Sequence, residues 1–168
     1  MVGTGVQARY QMRFLGSLLS SCEVLVWGRH REKAESLKLD LENEGTMKWN
    51  VTVADSTKEL IEGCDVIITT TCSREALLDL KESATIMEAR ERPLLIVCIG
   101  ADSVGKQELG VDLVSRADLL VCDSILQTQE RGEFQHAIRE GLVDLKDIVE
   151  IGEIVAGVKT IPKNRKLT

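Results

Sequence analysis

MVGTGVQARYQ, residues 1–11, sets Gly3, Gly5 and Ala8 in the pattern G-x-G-x-x-A, directly before an amphipathic run. Each position has a physical task. Gly3 permits a tight turn from strand to helix. Gly5 has no Cβ, so a pyrophosphate can approach the backbone closely. Ala8 is small enough for the helix to lie near a sheet. The helix N-terminus then offers free N–H groups and the positive end of its dipole to phosphates. Thr4, Val6 and Gln7 fill the positions between. A purely structural turn is the alternative, but a helix, a strand and a second strand follow, as a dinucleotide-binding unit requires. Only Met1 and Val2 precede the turn, where a whole strand normally feeds it.

Working outward, strand-length apolar runs alternate with helical patterns. The periodicity predicts a helix over 6–19, with Ala8, Met12, Leu15 and Leu19 on one face. CEVLVW (22–27) predicts a buried strand. A helix over 31–43 turns Ala34, Leu37 and Leu41 inward. Residues 49–54 form the next strand, and Ser56 caps a short helix running to Glu62. DVIITTT (65–71) is a β-branched strand. Residues 74–91 are polar and predicted helical, leading to the strand PLLIVCIG (93–100). Residues 119–122 are the last predicted strand, with helices at 124–140 and 145–156. Alternating strand and helix requires parallel pairing, since a parallel neighbour needs a crossover. The expected fold is a doubly wound α/β sheet.

The chain's 168 residues suit one domain with a substantial core. Its net charge of −6 argues against a nucleic-acid partner, which needs clustered Lys and Arg. Five cysteines (22, 64, 72, 98 and 122) lack metal spacing, which predicts reduced, mostly buried thiols and a cytoplasmic location. No apolar run approaches the ~18 residues of a membrane span, and the N-terminus has no signal-peptide pattern.

An NAD-binding unit carries Asp or Glu at the end of its second strand, to hold the ribose 2′-hydroxyl. In VLVWGRHREK (24–33) that place is Gly28, followed by Arg29, His30, Arg31 and Lys33. Losing the carboxylate removes repulsion toward a 2′-phosphate, and a guanidinium can grip that phosphate through two hydrogen bonds. The reading is NADP, with NAD as the alternative. A solvated basic face is the competing explanation; it suits Arg31 and Lys33 better than Arg29.

GTGVQARYQ, VWGRHREKAE, GCDVIITTT, IGADSVGKQEL and DIVEIGEIVAG occur in the order and spacing of the ornithine cyclodeaminase/mu-crystallin family, which the chain resembles throughout. That resemblance implies a Rossmann-like parallel sheet with helices on both faces, its first strand truncated. It implies an NAD(P)-dependent oxidoreductase or cyclodeaminase acting at the α-carbon of an amino acid or cyclic imine, as ketimine reductases do. Thr4, Val6 and Gln7 would lie along the pyrophosphate. Gly28, Arg29, His30 and Lys33 would surround the 2′-phosphate. Thr71, Cys72 and Ile99 would border the ribose and nicotinamide. The aspartate before GK-x-EL, here Asp102, would be the catalytic acid/base. Independently of the resemblance, Asp102 follows a buried strand, and carboxyl ends of strands form the ligand crevice of α/β folds. A turn aspartate bonding its own backbone is the alternative.

Other candidates carry less. Cys72 has no partner histidine for a nucleophilic role. His136 lies in a predicted helix with Glu133 and Glu140, where a solvated face is the default. Asp55 and Asp65 fit strand-end turns. Glu150 and Glu153 fall in the last predicted helix, without metal spacing.

Family members are homodimers with a second, substrate-binding and dimerising domain. Residues 1–168 correspond to the NAD(P)-binding domain alone, so the isolated chain is expected to lack turnover. Truncation of the first strand is expected to expose sheet edges and apolar faces. The charged stretch 82–92 is longer than the family's usual link. A non-catalytic NADP-binding protein of the mu-crystallin type, or an inactive split member, are the alternative functions.

Overall fold

The computed structural model describes residues 1–19, 21–44, 48–81, 83–161 and 167–168. Strand β1 (Ser21–Val26) pairs in parallel with β2 (Lys48–Val53), from Ser21↔Lys48 to Val26↔Val53. Strand β3 (Val66–Thr69) pairs in parallel with β5 (Leu95–Cys98). Met1–Gly3 join the two pairs. Val2 bridges Trp27 on one side and Thr69 on the other. Its N–H donates to Ile68 O at 2.8 Å and its carbonyl accepts from Thr70 N at 2.8 Å. Gly3 N donates to Trp27 O, and Trp27 N to Met1 O, each at 2.9 Å.

The spatial order is therefore β2, β1, the Met1–Gly3 stub, β3, β5. The order reverses at the glycine turn, which is where a doubly wound sheet opens its crevice. Leu167 continues the sheet beyond β5 through a parallel bridge to Leu94. Two further parallel pairs lie outside this sheet: β4 (Arg74–Leu78) with β6 (Gln107–Leu109), and β7 (Leu120–Cys122) with β8 (Ile148–Glu150).

Helices cover both faces. Helix α1 (Val6–Gly16) and α2 (Arg31–Asn43) bury Ala8, Met12, Ala34, Leu37 and Leu41 against Val24, Val26, Val51 and Ile68. On the other face, α3 (Thr57–Gly63) contributes Leu60 and Ile61 to a cluster with Val2, Ile67, Leu94 and Leu113. Val2 and Ile67 point one way and Val26 and Ile68 the other, as strand alternation requires. Ser56 Oγ accepts from Glu59 N, and Glu59 returns the bond to Ser56 N, a capping box that starts α3.

Several predicted elements are corrected. Helix α1 stops at Gly16, so Leu19 is 42% exposed rather than inward. The predicted helix over 74–91 is strand β4 followed by α4 (Ala84–Ala89). REALL is made of helix formers, but parallel pairing with β6 overrides that preference. The helix expected over 124–140 is interrupted at Gly132 (φ +95°), leaving α6 (Ile125–Thr128) and α7 (Gln135–Arg139). The last predicted helix divides into a 3-10 turn at Leu145–Asp147, strand β8 and α8 (Ile151–Val155). Strand β7 is thus not the last strand. Glu150 ends β8 rather than lying in a helix, and accepts from Ile125 N at 2.8 Å.

Cys64, Cys98 and Cys122 are half-buried and Cys72 is exposed, so the described thiols are less buried than expected. They stand at element ends, Cys64 capping α3 and the other two closing β5 and β7, and pack against the core from its margin. In the charged stretch 82–92, Glu82 lies outside the described residues. Arg90 is buried and closes the end of α3, donating to the carbonyls of Ile61 at 2.8 Å and of Cys64. The stub fills only the carboxyl end of the first-strand position. Val66, at the start of β3, stays 47% exposed.

Candidate functional site

The candidate site lies at the carboxyl ends of β1 and β3, on either side of the glycine turn, where a doubly wound sheet binds its ligand. Gly3 has φ +111°, and a Cβ there would sit 2.5 Å from Thr70 Oγ1. Only glycine meets both demands. Gly5 is the N-cap of α1 in an extended conformation, and no side chain caps the helix. A Cβ built on Gly5 meets nothing within 4 Å. The first-turn N–H groups of α1 therefore face an open cradle, and its first turn carries no acidic side chain. Ala8 is fully buried under the turn, while Thr4 is half-buried and Val6 and Gln7 are exposed along its rim.

Gly28 follows the end of β1 and packs on the turn. A Cβ at Gly28 would lie 2.6 Å from Thr4 Cγ2. Arg29, His30 and Lys33 are exposed beside it, with His30 as the N-cap of α2. Arg29 and Lys33 make no ion pair among the described residues, whereas Arg31 is held by Asp55 and by Glu35 at 3.5 Å. Of the two arginines in this run, Arg29 is thus the one without an ion pair among the described residues, directly after Gly28.

Thr71, Cys72 and Ile99 lie where β3 and β5 end. Ile99 N donates to Thr69 O at 2.9 Å. Thr71 is half-buried and Cys72 exposed. Asp102 stands on the loop after β5, its side chain 68% exposed, paired with Lys106 four residues on. Ser103 Oγ also donates to it at 2.9 Å. Lys106 first, and then Ser103, hold the Asp102 carboxyl below the usual carboxylate range. Its ammonium partner Lys106 is bonded to it in the structure. Among the described residues, no cluster of His, Cys, Asp and Glu has the makings of a metal site.

The structure also supplies residues that the motif reading missed. Glu108, fully buried, accepts four hydrogen bonds: from Thr69 Oγ1 (2.7 Å), Thr71 N (2.6 Å), Thr71 Oγ1 (2.7 Å) and Gly100 N (2.8 Å). One carboxylate thereby ties the end of β3 to the end of β5 beneath the crevice. Glu133 is 8% exposed, against the expectation of a solvated helix face. It precedes α7, in a loop folded over β6. Its Oε1 accepts from Glu108 N (2.9 Å) and Leu109 N (2.5 Å). Gln135 accepts from Gly105 N at 2.8 Å and donates to Lys106 O at 3.2 Å, and His136 Nε2 meets the same carbonyl at 3.2 Å. Residues 133–136 thus brace the loop bearing Asp102.

Burial pushes the Glu133 carboxyl up to about 7. A carboxyl raised above its ordinary value near 4.5 stabilises the fold fully below that value and loses its contribution as pH rises through about 7. Stability to urea is expected to fall between those limits. Glu133→Gln should flatten that fall, as read from unfolding midpoints at pH 5, 6, 7 and 8.

Residues 1–167 match the ornithine cyclodeaminase/mu-crystallin family. The chain belongs to this family. An uncharacterized cyclodeaminase of Sinorhizobium fredii is 34% identical over 160 residues, covering 94% of this chain and 45% of its own length. An archaeal alanine dehydrogenase, a dimer with bound NAD, superposes with a TM-score of 0.82 at 29% identity, over 99% of this chain and 49% of its own. The iminosuccinate reductase of Paracoccus denitrificans, in complex with NAD+, gives 0.81 at 30% identity, over 100% and 48%. The chain spans about half the length of the curated relatives it matches.

This cyclodeaminase/mu-crystallin chain keeps its open cradle at the glycine turn. A shallow cavity of about 350 Å³ lies elsewhere, at the amino ends of β3 and β5, lined by Asp65, Arg92 and Leu94 among others. It is remote from the loop carrying Asp102. No described helix is long and apolar enough to cross a membrane.

Proposed function

We propose that residues 1–168 form the dinucleotide-binding unit of an NAD(P)-dependent enzyme acting at the α-carbon of a small amino acid or imine. The observation that carries this reading is the uncapped head of α1 beneath Gly5, where a side chain would have open space and phosphate oxygens would meet main-chain N–H groups. A nicotinamide dinucleotide bound here would supply hydride transfer at the substrate carbon. Val6, Gln7 and Ala8 amides would hold its diphosphate, with Thr4 and Gly28 shaping the approach. Thr71, Cys72 and Ile99 would flank its ribose and nicotinamide. Asp102, held ionised by Lys106, accepts the proton that leaves the substrate nitrogen or water. The bound NAD of the two compared structures supports the cofactor class. The dimeric state of the archaeal alanine dehydrogenase supports a homodimer for the whole protein.

Within that class we favour NADP. Gly28 leaves no carboxylate, and Arg29 is exposed beside it, with no ion pair among the described residues. A charge-assisted bond to a 2′-phosphate contributes about 1.5–3 kcal/mol. Arg29→Ala is therefore expected to weaken NADPH binding at least about tenfold and NADH binding less than about twofold. Fluorescence titration of Trp27, next to Gly28, reads both. Tighter NADH than NADPH binding by the unaltered chain would contradict the NADP assignment.

A further inference from the structure

We propose that Glu133 is a positioning residue for the dinucleotide crevice, its buried carboxyl fixing the Glu108 backbone so that the Glu108 carboxylate clamps β3 to β5 beneath the cofactor. This rests on the crevice being the dinucleotide site.

The geometry is a two-step relay. Glu133 Oε1 bonds the main-chain N–H groups of Glu108 and Leu109. The Glu108 side chain then reaches Thr71 N and Gly100 N, each two residues beyond the end of β3 and of β5. Gly100 has no room for error, since a Cβ there would lie 2.0 Å from Thr71 O and 2.6 Å from the Glu108 carboxyl. A small shift of β6 is therefore passed directly to Thr71, at the rim of the site.

Glu133 has a second feature. Its Oε2 is buried and makes no hydrogen bond among the described residues. The titratable groups facing it are Glu108 from β6 and Cys98 from β5. On its own segment, Glu130 and Arg131 are exposed, and Arg131 donates to Gln127. The Lys106 ammonium is bonded to Asp102 instead. Among the described residues, no lysine, arginine or histidine forms an ion pair with Glu133. When neutral, the carboxyl keeps its two amide bonds, and its buried Oε2 hydroxyl costs less than a buried charge would. Once ionised, it places an unpaired oxygen beside another buried carboxylate, which is relieved only by opening the bracing loop to water.

The test uses the 168-residue chain and its Glu133→Gln and Glu133→Ala variants. Glutamine keeps a carbonyl acceptor and stays neutral. Amide hydrogen exchange at Thr71 and Gly100, corrected for intrinsic base catalysis, is followed by NMR at pH 6 and pH 8 without nucleotide. NADPH affinity is measured under the same conditions. The expected result is that wild-type protection at both amides falls from pH 6 to pH 8, and affinity weakens with it by roughly fivefold, the lower end of usual site-to-site couplings. Glu133→Gln should hold both readouts constant near their pH 6 values, and Glu133→Ala should be poor at both pH values. Wild-type protection or affinity that is flat with pH, or Glu133→Gln that behaves as Glu133→Ala, overturns the proposal. Absence of NADPH and NADH binding at every pH, with protection behaving as expected, overturns the dinucleotide-site reading and this proposal with it.

Discussion

Gly100→Ala is expected to destabilise the protein by more than about 3 kcal/mol, the range reached when a fixed polar network and close backbone packing are disrupted together. The added Cβ would lie 2.0 Å from the Thr71 carbonyl oxygen and 2.6 Å from both Cδ and Oε1 of Glu108. Neither neighbour can yield cheaply. The carbonyl is main chain at the end of β3, and the carboxylate is held by four donors. Relief requires β3 and β5 to part at their carboxyl ends, stranding buried donors that Glu108 now satisfies. Gly152→Ala is the control. Gly152 lies inside α8, and a Cβ there meets nothing within 4 Å, so its change should stay within about 0.5 kcal/mol. Urea unfolding followed by Trp27 and Trp49 fluorescence separates the two. A Gly100→Ala chain as stable as wild type would show that the Glu108 clamp is not tight.

Gly5→Val is expected to do the opposite, sparing the fold and abolishing nucleotide binding. Gly5 has φ −82° and ψ −166°, an extended conformation that valine adopts without strain. Its Cβ direction is open, so no packed atom is displaced. The cost to the helix start is about 1 kcal/mol or less, because glycine itself is only a fair N-cap. The branched side chain would stand in the space through which phosphate oxygens reach the α1 amides. NADPH affinity should fall about a hundredfold or more, which corresponds to ~2.7 kcal/mol. Titration calorimetry with circular dichroism on the same sample checks both halves. Undiminished binding would place the diphosphate somewhere else.

The elements legible in the sequence were those whose signals are local. Helix α2 has the predicted bounds because its apolar spacing, Ala34, Leu37 and Leu41, is bracketed by a basic turn before it and a polar run after it. Ser56 announced α3 by capping chemistry, and the structure adds Glu59 as its reciprocal partner. The glycine turn carried its geometry in its residue types. Strands β4, β6 and β8 were hidden for a common reason. Each is three to five residues long and exists through pairing with a partner distant in sequence, such as Arg74 with Gln107. Residue preference cannot register such pairing, and REALL argued actively for a helix.

The site divides in the same way. Arg29 was separable from Arg31 by its position after Gly28, and the structure adds that Arg31 is held by Asp55. Glu108 and Glu133 were invisible as a unit. Glu108 reaches back to Thr69 and Thr71, and Glu133 reaches back to Glu108, across spans that no short pattern records. Their burial contradicts the ordinary behaviour of glutamate, and the surface reading of GEFQH followed from that ordinary behaviour. Adjacent strand residues face opposite sides, so the burial of both Glu108 and Leu109 means that β6 is covered on both faces, which residue types alone do not signal.

A crystal structure of the 168-residue chain with NADPH at saturating concentration tests the central assignment most directly. The expected density puts the diphosphate within hydrogen-bond distance of the Val6, Gln7 and Ala8 amides, and the 2′-phosphate against Arg29. A diphosphate bound away from the head of α1, or no nucleotide in the crevice at saturation, would contradict it.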